Sequence, residues 1–349
     1  MRTYLDYNAT APLRDEARQA MIAAMDVVGN PSSVHGEGRA ALGIVQKARA
    51  QVAEAVGCQV AEVVFTSGAT EAASVLSGFQ NVHVEPTAHD ALWAHNAPGT
   101  ASPAVYAMGL ANSETGVIGE VPPHTAAGWQ VADVPADLLL LDVTQAVGRI
   151  PFAFSWSGAD LAVLSAHKLG GPKGVGALIV KRGLEIPALS LGGGQEMGRR
   201  SGTENIIGIA GFGAAIEAAS RDLADGVWDQ VEKLRNILEI SLEASAKKTI
   251  FVGKDRARLP NTSCFISEGW KGETQVMQMD LAGFAISAGS ACSSGKVRES
   301  RVLRAMGFDE RQASSAVRVS LGPETTEEQV LRFSEAWLNK EEKFRARAA

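Results

Sequence analysis

Three apolar runs in this chain end in residues that could do chemistry together. The first, Leu161-Ala162-Val163-Leu164, delivers Ser165, His167 and Lys168 to its carboxyl end and then enters the turn Gly170-Gly171-Pro172-Lys173-Gly174. Open α/β sheets put their ligand sites at such strand ends. A lysine held there and partly desolvated has a lowered pKa and can attack a carbonyl to form a Schiff base. By itself a loop lysine is far more often a solvated charge, so the neighbours decide. The second run, 138–141, is four leucines followed by Asp142, an acid that can keep a pyridine nitrogen protonated or simply cap a turn. In the third, Phe65-Thr66-Ser67-Gly68-Ala69-Thr70 sets small residues and hydroxyls at a helix start, where a phosphate is favoured. Capping by Ser67 or Thr70, with Glu71 in the first turn, would use the same residues. A lysine for an aldehyde, an acid for a pyridine and a turn for a phosphate meet the three needs of one cofactor. The conjunction is more specific than any part of it.

The cysteines and one arginine form a second set. Cys292 lies in Ser290-Ala291-Cys292-Ser293-Ser294-Gly295-Lys296, among small polar residues and near Lys296 and Arg298, a setting for a reachable thiolate. Cys264, in Thr262-Ser263-Cys264-Phe265-Ile266, reads as a small buried hydrophobe, and Cys58 has neither setting. Arg318 interrupts the apolar strand 316–320, where a guanidinium suits bidentate capture of a carboxylate or an edge salt bridge. Competing motifs fail. The stretch 289–296 has its glycines one residue too far apart for a nucleotide-hydrolase phosphate loop, and Val297 stands where Ser or Thr should ligate magnesium. Gly211-Phe212-Gly213 continues a helical pattern instead of following a strand. The six histidines show no zinc-type pairing with cysteines, so no metal is expected.

Elements of alternating type must position these groups. Helical spacing covers 37–56, with Gly57 as the C-cap, and strand patterns fall at 63–65, 104–108, 138–141, 161–164 and 176–180. That alternation predicts a mostly parallel central sheet flanked by helices. Helices over 206–220 and 226–245 lead out of it to strands at 262–266, 285–287 and 316–320 and a final helix after Thr326, a smaller α+β domain. Residues 86–103 read as irregular. The 349 residues suit two domains. Lys+Arg 33 against Asp+Glu 39 disfavours nucleic acid and anionic membrane as partners. Three scattered cysteines exclude a disulfide framework and fit a reducing, cytoplasmic setting. The N-terminus has no apolar signal core, and no run is long enough to span a bilayer.

The chain resembles the cysteine desulfurases of fold type I, pyridoxal-phosphate enzymes of the class V aminotransferase superfamily that serve nitrogenase and iron–sulfur cluster assembly. The matching stretches are 4–10, 29–35, 65–71, 142–148, 165–176, 192–196 with 200–203, 287–307 and 314–326, in order along nearly the whole chain. The resemblance implies the α/β fold of type I pyridoxal-phosphate-dependent transferases, with a large domain of residues 13–224 and a small domain of 1–12 and 225–349. Lys168 would form the Schiff base with pyridoxal 5'-phosphate, Asp142 would pair with the pyridine nitrogen, and Gln145 would lie near the phenolic oxygen. His89 corresponds to the family's ring-stacking histidine. Ala69, Thr70, Ser165 and His167 would hold the phosphate, joined by Thr203 from the second copy of a homodimer. Asn112 and Ser113 fall at the cofactor, where the family usually shows two asparagines before the glutamate. Asn30 and Arg318 would receive the carboxylate of L-cysteine. Cys292, on a long loop, would take the sulfur as a persulfide, leaving alanine, and pass it to an acceptor or iron–sulfur scaffold protein. Between Thr70 and Glu114 the chain is shorter than the family pattern. A weakly active paralogue serving as a persulfide relay, or a selenocysteine lyase-like relative, are the alternatives.

Overall fold

The computed structural model describes residues 2–131, 134–289 and 299–348. The chain forms two compact units, each discontinuous in sequence. One comprises Thr10–Ala111 and Gly119–Ala224; the other comprises Met1–Ala9, Asn112–Ile118 and Asp225–Ala349. Against the boundaries drawn from sequence, the division falls after Ala9 rather than after residue 12. Residues 112–118, expected in the large domain, belong to the smaller unit, because the Ile118 N–H bonds the Ala257 carbonyl at 2.9 Å and Val117 bridges to Arg258.

In the larger unit six strands run in the order Val63–Thr66, Gly176–Val180, Leu161–Ser165, Leu138–Asp142, Val105–Gly109 and Val82–Val84. The last four are mutually parallel; Gly176–Val180 is antiparallel to both neighbours. The runs VVFT, LAVLS and GALIV are buried throughout, the pattern of strands covered on both faces. Covering helices are Asp15–Met25, Gly36–Val56 and Ile206–Ala224, the second closed by Gly57 at φ 65. The glycines 211 and 213, set aside as a dinucleotide motif, have a packing role. A Cβ on Gly213 would come within 2.8 Å of Ala48, and one on Gly211 within 2.7 Å of Met21. Residues 86–103 are less irregular than expected: Asp90–Trp93 is a helical turn after the unanticipated edge strand Val82–Val84.

In the smaller unit, Ile250–Phe251, Thr262–Ile266, Ala316–Ser320 and Ser287–Ala288 form an antiparallel sheet in that order. The strand expected at 285–287 is two: Phe284–Ala285 pairs instead with Thr3–Tyr4 at the N-terminus. Helices Val227–Ser245, Gly272–Leu281 and Glu327–Ala348 complete the unit. Cys264 is fully buried in its core, and burial, with Glu114 next, pushes its thiol pKa well up. The proposed sulfur carrier Cys292 lies outside the described residues.

Candidate active site

Register brings two of the three strand ends side by side in the larger unit. Gly176 pairs with Thr66 on one flank and with Ser165 on the other, so the turn after Thr66 and the turn after Ser165 share a boundary. Only glycine fits between them, since a Cβ at 176 would sit 2.5 Å from the Leu164 carbonyl oxygen and 2.7 Å from Gly68 Cα. The Thr66 turn opens a five-residue helix, Ala69–Ala73, in which Glu71 reaches back to accept the Ser67 N–H at 2.6 Å. Glu71 also accepts from Arg200 Nε at 2.9 Å. Partial burial pushes the Glu71 carboxyl upward, but the bonds from Arg200 and Ser67 outweigh it and hold it below its ordinary value.

After Ser165 the chain makes a single tight turn, Ala166–Lys168. It is fixed from two sides. The Ala11 N–H bonds the His167 carbonyl at 2.9 Å and Thr10 Oγ1 meets His167 Nδ1 at 3.2 Å. From the other side, Arg149 Nη2 donates to the Lys168 carbonyl at 2.8 Å. The same guanidinium donates through Nη1 to Gln145 Oε1, and both residues are buried. That bond assigns the Gln145 amide: its oxygen faces Arg149, so its NH2 is the group turned elsewhere. Desolvation first, then the charges of Lys168, Lys173 and Arg149, pushes the His167 pKa down to about 4. At neutral pH the ring is therefore uncharged and acts through hydrogen bonds. Asp142 closes the Leu138–Asp142 strand opposite Gly109, one carboxylate oxygen accepting the Thr144 N–H at 2.9 Å.

A loop ending in Thr203 is tied to these turns. Glu196 and Met197 both adopt left-handed backbone, at φ 48 and 59, a conformation costly for non-glycine residues. Glu196 is held there by a buried bidentate pair with Arg49, both bonds 2.7 Å, and by the Phe65 N–H at 2.9 Å. Arg200 on the same loop reaches Glu71, while Thr203 itself is exposed. His89 caps the Asp90–Trp93 turn with Nδ1 accepting the Ala91 N–H at 3.1 Å, at the carboxyl side of the edge strand. Asn30 is exposed and turns its side-chain oxygen to the Ser32 N–H at 2.9 Å.

In the smaller unit the buried Arg318 pairs with Asp6 at 2.8 Å and donates to the Ser113 carbonyl at 2.9 Å. Its Nε–H is buried with no acceptor among the described residues. Ser287 Oγ lies 2.9 Å from each Asp6 oxygen. Asn112 turns its side-chain oxygen onto the N–H groups of Glu114 and Thr115, both at 2.9 Å, and Ser113 contributes its backbone carbonyl. The structure thus gathers Ser165, His167, Lys168, Gln145 and the 66–70 turn on one edge of one sheet. Three residues that hold these groups were not among the sequence candidates: Arg149 and Glu196 in the larger unit, and Asp6, the partner of Arg318, in the smaller. Each stands in or next to a stretch already singled out by motif, but its role depends on a partner far away in the chain.

A doubly flanked α/β sheet with a lysine-bearing turn beside a small-residue turn at its carboxyl edge has the layout in which open α/β folds take their ligands. The model of the aminotransferase class-V family matches residues 3–89 and 99–333, and the chain belongs to that family; it is an enzyme. The break in that match falls directly after His89, inside the segment expected to be shortened. The chain is 37% identical to a cysteine desulfurase of Cereibacter sphaeroides over 96% of its length and 94% of the relative. It is also 37% identical to one of Frankia sp. (strain EuIK1), over 94% and 88%. Among solved structures, a NifS-like protein from Rickettsia africae ESF-5 superposes with TM-score 0.85 at 28% identity, covering 97% of this chain and 99% of that one. Another NifS-like protein gives 0.83 at 30%, covering 99% and 100%.

Proposed function

We propose that the chain is a pyridoxal-phosphate-dependent cysteine desulfurase that converts L-cysteine to L-alanine and leaves the sulfur as a persulfide on Cys292. The observation that carries this reading is the shared edge of the Ser165–Lys168 and Thr66–Thr70 turns, a lysine and a small-residue cradle separated only by Gly176. The donor set fits the cofactor: a hydroxyl from Ser165, the first turn at Ala69 and Thr70, an uncharged His167 and the carboxylate of Asp142. When bound, pyridoxal phosphate supplies an electron sink for charge developing at the substrate Cα. Lys168 would hold it through Nζ, Asp142 would keep a proton on its ring nitrogen, and Gln145 would donate its NH2 to the phenolic oxygen. His89, Asn112 and Ser113 complete the proposed cofactor contacts, with exposed Thr203 serving the other copy of a homodimer.

Arg318, with its unsatisfied Nε–H, and Asn30 would orient the cysteine carboxylate. The Cys292 thiolate attacks the substrate sulfur; an S–S bond forms, the substrate Cβ–S bond breaks, and a proton added at Cβ completes alanine. Atoms balance without a further oxidant: cysteine and a thiol give alanine and a persulfide. A sulfur-acceptor or iron–sulfur scaffold protein would then discharge the persulfide, in the reducing cytoplasm that three scattered cysteines suit. The test is alanine release from L-cysteine by the cofactor-loaded protein, with sulfide measured under thiol reductant. Wild type should form both; Cys292→Ala should form neither at a comparable rate, and Lys168→Ala should lose the visible absorbance of the loaded protein. Undiminished turnover by Cys292→Ala would remove the persulfide route.

A further inference from the structure

We propose that a basic cavity on the smaller unit binds a small ligand carrying two or more linked phosphate groups. The cavity, about 580 Å³, is lined by Gly269, Trp270, Thr274, Gln278 and Phe344 together with four cations, Lys271, Lys340, Lys343 and Arg347. No carboxylate lines it among the described residues, in a chain whose net charge is −6. None of the four cations forms an ion pair among the described residues, whereas Arg345 on the same helix is fully engaged with Glu341, Ser267 and the Glu268 carbonyl. Positive charge has been sorted: neutralised on one side of the helix, left open on the cavity side.

The cations come from two elements. Lys340, Lys343 and Arg347 follow one another at helical spacing on Glu327–Ala348, so they form a line about 10 Å long at 1.5 Å rise per residue. Lys271 is the N-cap of the ten-residue Gly272–Leu281 helix, and Thr274 lies in its first turn. Helix starts carry partial positive charge and N–H groups without intrahelical acceptors. A line of that length exceeds what one phosphate group spans, which favours a chain of them over orthophosphate. The wall behind is rigid: Trp270 stacks on Phe344 at 5.6 Å and packs against Trp337 at 5.5 Å. The Trp270 indole N–H is buried with no acceptor among the described residues. Because Trp270 is covered by Phe344, its ring face is not offered for stacking, so recognition rests on the phosphates rather than on a base.

The experiment is calorimetric titration of the full-length protein with tripolyphosphate at an ionic strength of about 0.15 M. Orthophosphate, ATP and poly-glutamate run in parallel. Saturable one-to-one binding of tripolyphosphate is expected, with orthophosphate much weaker. Affinity should fall by about tenfold or more in K340E/K343E and in K271E, because each removes a charge-assisted contact. Lys271 and Lys343 are exposed and Lys340 is half-buried, and none forms an ion pair among the described residues, so urea midpoints of the variants should stay close to wild type and confirm that folding is intact. Displacement of tripolyphosphate by ATP would mark a nucleotide source; its absence would mark an inorganic one. No saturable heat, unchanged affinity in the variants, or equally tight binding of poly-glutamate would overturn the proposal. None of these outcomes bears on desulfuration, which uses none of the four residues.

Discussion

Arg149 acts on three groups at once: it orients the Gln145 amide, holds the backbone of the Lys168 turn and, after desolvation, Lys168 and Lys173, adds to the depression of His167. Replacing it with methionine keeps the bulk but takes a donor from the buried Gln145 oxygen and from the half-buried Lys168 carbonyl, a loss of about 1–3 kcal/mol each at most. It also removes one of the cations that depress His167. In the apoprotein Arg149→Met, the His167 midpoint followed by NMR should rise above about 4, only partway to 6.5 because desolvation is the larger cause. An unmoved midpoint would show that Arg149 exerts no field there. The linkage sign follows from the same shift. A histidine whose folded pKa is depressed binds its proton more readily when unfolded, so stability is present above pH 6.5 and is lost as pH falls toward about 4. His167→Gln should flatten that decline. Residue type at strand ends singles out Lys168 and Asp142, and the family resemblance adds Gln145. Arg149 is found by neither, because nothing local distinguishes a clamping arginine from a solvated one until Lys168, nineteen residues on, is seen to accept from it.

Elements with uniform apolar runs were legible, and those without were not. The strands at 161–165, 176–180 and 138–142 announce themselves because their inner positions are buried on both faces and apolar. The short sheet of His124–Thr125, Gly128–Val131 and Val134–Ala136 and the edge strand Val82–Val84 escape notice, being two to four residues long with too few positions to show a period. Glycine at 176 carries a different message, that of close approach between the 66–70 and 165–168 turns. Gly176→Ala should force Leu164 or the 66–70 turn to shift and weaken binding of pyridoxal phosphate to the apoprotein by about tenfold or more, measured by fluorescence titration; a one-ångström displacement of a positioned site commonly has larger effects. Gly43→Ala is the control. It lies in the Gly36–Val56 helix with nothing within 4 Å of the new methyl, so it should leave cofactor binding unchanged and raise stability by about 0.5–1 kcal/mol.

At the scale of the chain, the smaller unit is assembled from three separated segments, and the N-terminal nine residues are structural members of it. Thr3–Tyr4 adds a strand beside Phe284–Ala285, Leu5 is fully buried, and Asn8 bonds Thr262 at 2.8 Å and the Ser320 hydroxyl at 3.0 Å. Asp6 has the largest consequence, for it is the counter-charge of buried Arg318. Removing a partner from a buried ion pair strands the other charge, at a cost of about 3–5 kcal/mol. The two single variants should not be equivalent. Asp6→Asn leaves the guanidinium at 6% exposure without a counter-charge and with only neutral acceptors among the described residues, whereas Arg318→Met leaves a carboxylate at 16% exposure that keeps its bond from Ser287 and can hydrate. Urea unfolding should therefore show the larger loss for Asp6→Asn, and the double variant should lose less than the sum, by about 1–3 kcal/mol of coupling. Strict additivity would mean that the pair contributes nothing as a pair. Under the proposed function the same residues separate stability from substrate binding. Asp6→Asn frees the Arg318 charge toward an incoming carboxylate, so KM for cysteine should hold or fall while the protein weakens, and Arg318→Met should raise KM at a smaller cost in stability.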